Sequence, residues 1–142
     1  MSQADSTIDV VEFVDEFHRR QGEMYAGGST APVVELLAGD ITWHVPGGSL
    51  IAGDHRGVQQ VINYFEKRRQ LMNSTMRMRP GAVMCEGDLV AQFVEGSAMA
   101  GGKQVSWQTI GVYRVDTGQR RVCEAWLIPL DSELFDRIWS GP

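Results

Sequence analysis

DITWHVPGGSLIAGDHRG, residues 40–57, changes character several times within a short span, and those changes set the architecture. It opens as a strand, with Ile41, Thr42, Trp43 and Val45 supplying β-branched and aromatic side chains. It breaks at Pro46-Gly47-Gly48, because proline has no ladder donor and glycine permits a sharp reversal. A second apolar scrap, Leu50-Ile51-Ala52, follows, and a turn over residues 53–57 leads into a helix starting near Val58. Trp43 and His44 stand just before the break, where the end of a strand presents side chains to a cavity.

Outward from this stretch the period of the apolar residues changes twice. Residues 1–6 are polar and expected to fray. Val10, Val11, Val14, Phe17, Met24 and Tyr25 then fall at helical spacing, which predicts a helix over 8–25 with Ser6 or Thr7 as its cap. A short helix over 30–38 takes Pro32 in its first turn and ends at Gly39. Val58, Val61, Ile62, Phe65 and Met72 mark a helix over 58–73. Four strand-like runs follow at 76–85, 89–98, 104–115 and 121–130, separated by Gly-containing turns, and read as an antiparallel meander. Asp131 or Ser132 caps a closing helix over 131–139 that carries Leu134, Phe135, Ile138 and Trp139. Helices on the concave face of a curved antiparallel sheet, with a pocket between them, make an α+β domain spanning residues 1–142.

Composition narrows the function. A chain of 142 residues, 43% hydrophobic, buries one core. It has neither a run of about 18 apolar residues nor a signal-peptide layout, so the expected location is cytoplasmic, away from membranes. A net charge of −5 argues against nucleic acid. The cations Lys67, Arg68, Arg69, Arg77 and Arg79 read as a solvated face rather than an anion site. Cys85 and Cys123 are too far apart for a metal knuckle, and no glycine-rich phosphate loop occurs, so neither metal nor cofactor is expected.

LLAGDITWHVPGGSLIAGDHRG, together with VCEAWLIPLDSELFDRIWS near the C-terminus, resembles the SnoaL-like branch of the nuclear transport factor 2-like superfamily. The resemblance runs from about Val10 to near the end of the chain and implies a cone-shaped fold. Related ketosteroid isomerases use an Asp base and two oxyanion partners; here the matching positions are Val45, Gly111 and one near Arg20. Limonene-epoxide hydrolases use an Arg and two Asp, which match Gln92, Val94 and Ile128, while their water-positioning Tyr and Asn fall on Thr42 and His44. The residues of both mechanisms are absent, so whether the chain is an enzyme stays open.

The same alignment puts Gln92, Glu124 and Trp126 on the concave face, with Trp107 and Thr109, and brings His44 to join them. His44 and Glu124 are then the candidate catalytic pair, since imidazole titrates near neutrality and a carboxylate can orient it. Tyr25, Trp43, Gln92, Trp107, Thr109, Trp126 and Ile128 form the candidate ligand-binding set. Each has a plainer reading as core or strand-end structure, and His55 and Arg56 read as a turn salt bridge sooner than a cavity mouth. Two functions of different class remain. One is a cofactor-independent enzyme acting on a small, largely apolar oxygenated molecule by proton transfer, cyclisation, dehydration or hydrolysis. The other is a non-catalytic binding or sensing domain using the same cavity. A homodimer is expected through the outer sheet face, where Ala91, Phe93, Val112, Ala125 and Leu127 would lie.

Overall fold

The computed structural model describes residues 3–141, with side chains from Val10 onward. The elements run α1 (Gln3–Tyr25), α2 (Ala31–Val34), β1 (Leu37–Val45), β2 (Gly53–Arg56), α3 (Gly57–Leu71), β3 (Arg77–Glu86), β4 (Leu89–Ala100), β5 (Lys103–Asp116), β6 (Arg121–Pro129) and α4 (Ser132–Trp139). The six strands form one curved, unclosed sheet in the order β2-β1-β6-β5-β4-β3. Every neighbouring pair is antiparallel except β1 with β6, so the sheet is mixed. That parallel contact joins the first strand to the last across the whole chain, which no local pattern announces.

The meander forms where the alternation predicts it. Gly101 and Gly102 both take positive φ, 57° and 79°, in the two-residue turn that joins β4 to β5. β3 sits at the sheet edge and tolerates Pro80 there, beside a register shift between Pro80 and Val83. Asp131 proves to be the cap of α4, accepting from the Leu134 amide at 3.1 Å. Gly47 (φ 95°) is required twice over, because a Cβ there would run into the Asp136 carboxylate of α4. The Gly48 amide donates to that same carboxylate at 3.2 Å, so the break after β1 docks on the closing helix.

Several boundaries differ from the sequence expectation. Helix α1 already includes residues 3–6, so Ser6 and Thr7 lie within it; Met1 and Ser2 are outside the described residues. The second helix is one turn long, and Leu37 already belongs to β1. Residues 53–56 pair with β1 as a strand in place of the expected turn.

The parity of β1 and β6 is also opposite to the expectation. Ile41, Trp43 and Val45 point into the core, leaving Thr42 and His44 on the outer face. In β6 the register slips at Cys123, which pairs with nothing while Arg114 faces Glu124 and Val115 faces Val122. Counting by twos from buried Val122 would send Glu124, Trp126 and Ile128 inward. The bulge turns Ala125 and Leu127 inward instead and puts those three on the outer face. Ala125 and Leu127 therefore belong to the core and not to an outer apolar face.

Inside the cone, α1 buries Val10, Phe13, Val14, Phe17, Met24 and Tyr25 against the sheet. Trp43 is the hub, with ring centroids 6.0 Å from Phe17, 5.6 Å from Tyr64, 5.3 Å from Phe65 and 6.1 Å from Tyr113. Trp107 packs edge-on to Trp139 of α4 at 5.0 Å and covers its cross-strand partner Gly96, where a Cβ would meet the indole. Gly96→Ala must therefore displace a buried tryptophan. We expect a loss of about 1–3 kcal/mol in urea denaturation, the scale of an overpacked core, with altered Trp fluorescence in the folded protein.

Candidate functional site

Between sheet and helices lies a small, mostly enclosed chamber of about 20 Å³, room for about one water molecule. Gln21 of α1, Trp43 of β1, Arg68 of α3 and Trp107, Thr109 and Tyr113 of β5 line it, among others. Tyr113 reaches it by leaning along its strand over Gly111, where a Cβ would meet the phenol.

Arg68 is the unexpected member. It is 3% exposed, and no carboxylate partners it among the described residues. Its Nη1 donates to the Tyr25 hydroxyl at 3.2 Å. Its guanidinium carbon lies 5.1, 5.3 and 4.8 Å from the ring centroids of Tyr25, Tyr64 and Trp139. Burial works against its charge, but the Tyr25, Tyr64 and Tyr113 phenols outweigh that, and its pKa is raised. The guanidinium stays protonated.

Five buried side-chain atoms make no well-aligned hydrogen bond among the described residues: Gln21 Nε2, Trp43 Nε1, Arg68 Nε, Trp139 Nε1 and the Tyr64 hydroxyl, although that hydroxyl lies close enough to Trp43 and Arg68 to interact with both. Four are obligate N–H donors, and three of those belong to side chains lining the chamber. Buried polar atoms are ordinarily paired, so such a group is unusual.

Behind Tyr113 stands His18, 2% exposed. Its Nδ1 lies 2.9 Å from Gln92 Oε1 and its Nε2 lies 2.9 Å from the Tyr113 hydroxyl. Gln92 Nε2 donates to the Gly81 carbonyl at 3.2 Å, which orients the amide oxygen toward His18. His18 thus carries its proton on Nδ1, and the Tyr113 hydroxyl donates to Nε2. Burial, only partly offset by Gln92 and Asp15, pushes the imidazole pKa down to about 4.

The sequence-derived site divides between two faces. Trp43, Trp107 and Thr109 line the chamber; Tyr25 holds Arg68, and Gln92 holds His18. His44 and Glu124 do pair, at 2.7 Å, but on the outer face. There His44 also bonds Asp54 at 2.8 Å and stacks on Trp126 at 5.5 Å. Partial burial opposes its charge, but the Glu124 and Asp54 hydrogen bonds prevail and raise its pKa. Trp126 and Ile128 line an outer hollow of about 590 Å³ with His44 and Asp54. Arg56 pairs with Asp54 at 3.6 Å, and His55 stacks on Tyr64 at 4.7 Å. Arg20 ties α1 to α2 through the Pro32 carbonyl and Glu35.

Sequence reasoning missed Arg68, Gln21, Tyr64 and Tyr113. For Arg68 a signal existed: with Val61, Tyr64, Phe65 and Met72 it completes the buried stripe of α3. A basic cluster drew it onto the solvated face instead.

A curved sheet closed by helices over a small chamber is the nuclear transport factor 2-like cone. The chain belongs to the SnoaL-like domain family, whose model matches residues 10–124. Bal32a, from a soil-derived mobile gene cassette, is similar at 25% identity and a TM-score of 0.81, over 94% of this chain and 98% of its own. A nuclear transport factor 2-like protein from Anabaena variabilis ATCC 29413 is similar at 15% identity and a TM-score of 0.77, over 93% and 96%. SalBIII, an epoxide hydrolase/cyclase-like enzyme with a role in pyran ring formation in the polyether salinomycin, is similar at 16% identity and a TM-score of 0.70, over 85% and 90%. No curated protein sequence matches the chain.

His18 gives a pH prediction. The unfolded imidazole takes up its proton near 6.5 and the folded one only near 4. Its contribution is intact above pH 6.5 and lost as pH falls toward 4, by about 3 kcal/mol at 1.36 kcal/mol per unit. Glu16, held near 2 by Arg19 and Arg20, titrates below that window. Urea denaturation between pH 7 and 4.5 should show this slope, and His18→Gln should flatten it.

Proposed function

We propose that this chain takes a small, largely apolar oxygenated molecule into its cone and acts on it without a cofactor by proton transfer. The observation that carries the reading is the chamber itself, walled by aromatic rings and holding buried polar groups left without partners. The group best placed to move a proton is Tyr113, which lines the chamber with His18 Nε2 behind its hydroxyl. A ligand C–H proton would pass to the Tyr113 oxygen as the phenol's own proton moves to His18, leaving an enolate and a buried imidazolium. A His18 pKa near 4 makes that relay a weak base. It therefore suits a carbon already acidified by neighbouring carbonyls. The similarity in fold to SalBIII, an epoxide hydrolase/cyclase-like enzyme, is compatible with chemistry on oxygenated rings.

A second reading, binding or sensing without turnover, is favoured by one feature. No Asp, Glu, His or Cys is among the described side chains that line the chamber. Exchange of α-protons separates the two. Incubated in heavy water with cyclic 1,3-diketones, the wild-type chain should speed deuterium uptake at the α-carbon. Tyr113→Phe should lower that rate by about a hundredfold or more, the usual loss for an acid–base group, while binding changes only a few-fold. Binding without exchange would establish the sensing reading instead.

We further propose that the chain acts in the cytoplasm as a homodimer joined through the outer sheet face. Ala91, Phe93, Ile110, Val112, Trp126 and Ile128 alternate with the core residues and share that face. Ile128 alone is 45% exposed. Sedimentation at micromolar concentration should give a dimer for the wild type and a folded monomer for Ile128→Glu.

A further inference from the structure

The poorly partnered groups in and beside the chamber are mostly donors. Gln21 Nε2, Trp43 Nε1, Arg68 Nε and Trp139 Nε1 can only donate, and the Tyr64 hydroxyl, the acceptor close to both Trp43 and Arg68, cannot serve both of them fully. One of these donors belongs to the Arg68 guanidinium, which no carboxylate neutralises among the described residues. Three aromatic faces compensate its charge in part. Such contacts recover only part of the cost of desolvating a buried ion. A neutral carbonyl would fill one hydrogen bond and leave the charge as it was. An acceptor-only anion answers both deficits together.

We propose that the chamber is an anion-binding site that receives the carboxylate end of the ligand, with Arg68 as its counter-ion and Gln21 and Trp43 as flanking donors. This rests on the reading of the cone as the ligand site and specifies the class of ligand. The route in needs only side-chain movement. A cleft of about 850 Å³ opens on the other side of Met76 and Met78, which wall the chamber as well. Gly22, Ala26, Ser97 and Met99 line that cleft, wide enough for the body of a ring compound. Methionine side chains change shape at small cost, so a shift of Met76 and Met78 joins cleft to chamber. The carboxylate and the carbon next to it then enter the chamber, against Arg68 and in the space that Tyr113 lines, while the rest of the ligand lies in the cleft.

Indole N–H signals of the ¹⁵N-labelled full-length chain test this directly, since the sequence holds 4 tryptophans and Trp43→Phe assigns the one that matters. Formate, acetate and benzoate should each shift the Trp43 signal saturably. Benzoate should bind at least tenfold more tightly than benzamide, its neutral counterpart. Arg68→Met, checked for folding by circular dichroism, should erase that preference. Gln21→Met, which leaves the charge untouched, should weaken benzoate at least threefold and decides the matter if Arg68→Met does not fold. Equal affinity for acid and amide overturns the proposal, as does full preference retained in folded Arg68→Met, or unchanged benzoate binding in Gln21→Met. If cyclohexanone shifts Trp43 and no carboxylate does, the anion assignment fails while the cone remains a binding site. If neither shifts it, both fail.

Discussion

A charged guanidinium buried without a carboxylate is the constraint on which the interior depends. Arg68 belongs to α3, yet its charge is shared among a ring of α1, a ring of its own helix and a ring of α4. Three helices far apart in the chain are thus held to one point by a cation and three quadrupoles. These contacts need aromatic faces at set distances, so they orient Tyr25, Tyr64 and Trp139 more tightly than simple burial would. Trp139 in turn packs on Trp107, and Trp107 requires Gly96 beneath it. The inner end of the cone is therefore specified from Arg68 outward, through α4 to the middle strands.

Much of the fold was legible because it depends on local periods. The meander needs only alternation and glycine turns, and α1 and α3 need only apolar spacing. What failed was parity. In β1 the information was present: Ile41, Trp43 and Val45 are the apolar set and Thr42 and His44 the polar one, so burying the tryptophan sends His44 outward. Matching His44 to a water-positioning Asn in the epoxide hydrolases overrode that simpler count. In β6 no count from sequence suffices. The unpaired Cys123 shifts everything after it by one, and a bulge is a property of two paired strands. Its thiol donates to the Arg114 carbonyl at 3.4 Å, a contact that exists only once β5 and β6 are aligned.

The displaced candidates still form a coherent group. Asp54, His44 and Glu124 sit on adjacent strands of the outer face, so cross-strand register alone brings them together. Their pairing was legible while their side of the sheet was not. The two faces therefore differ in chemistry. The outer row has solvent-accessible titratable groups beside an apolar hollow, whereas the inner chamber has a fixed cation and neutral donors. A group in the outer row cannot touch a ligand in the cone, because the sheet lies between them.

The size of the chamber completes the argument. At about 20 Å³ it is far below the roughly 300 Å³ that a drug-sized ligand occupies. A small chamber walled by buried side chains keeps Arg68 nearly free of solvent, which strengthens whatever electrostatic contact forms there. A permanently open one would hydrate the guanidinium and narrow the difference between an acid and its amide. Selectivity by charge therefore depends on the chamber closing around a small terminal group while the bulk of the ligand stays in the cleft. The positions of Met76 and Met78 meet that need: the two residues wall both spaces, and their flexible side chains can change shape without a change in β5, the strand that carries Trp107 and Tyr113.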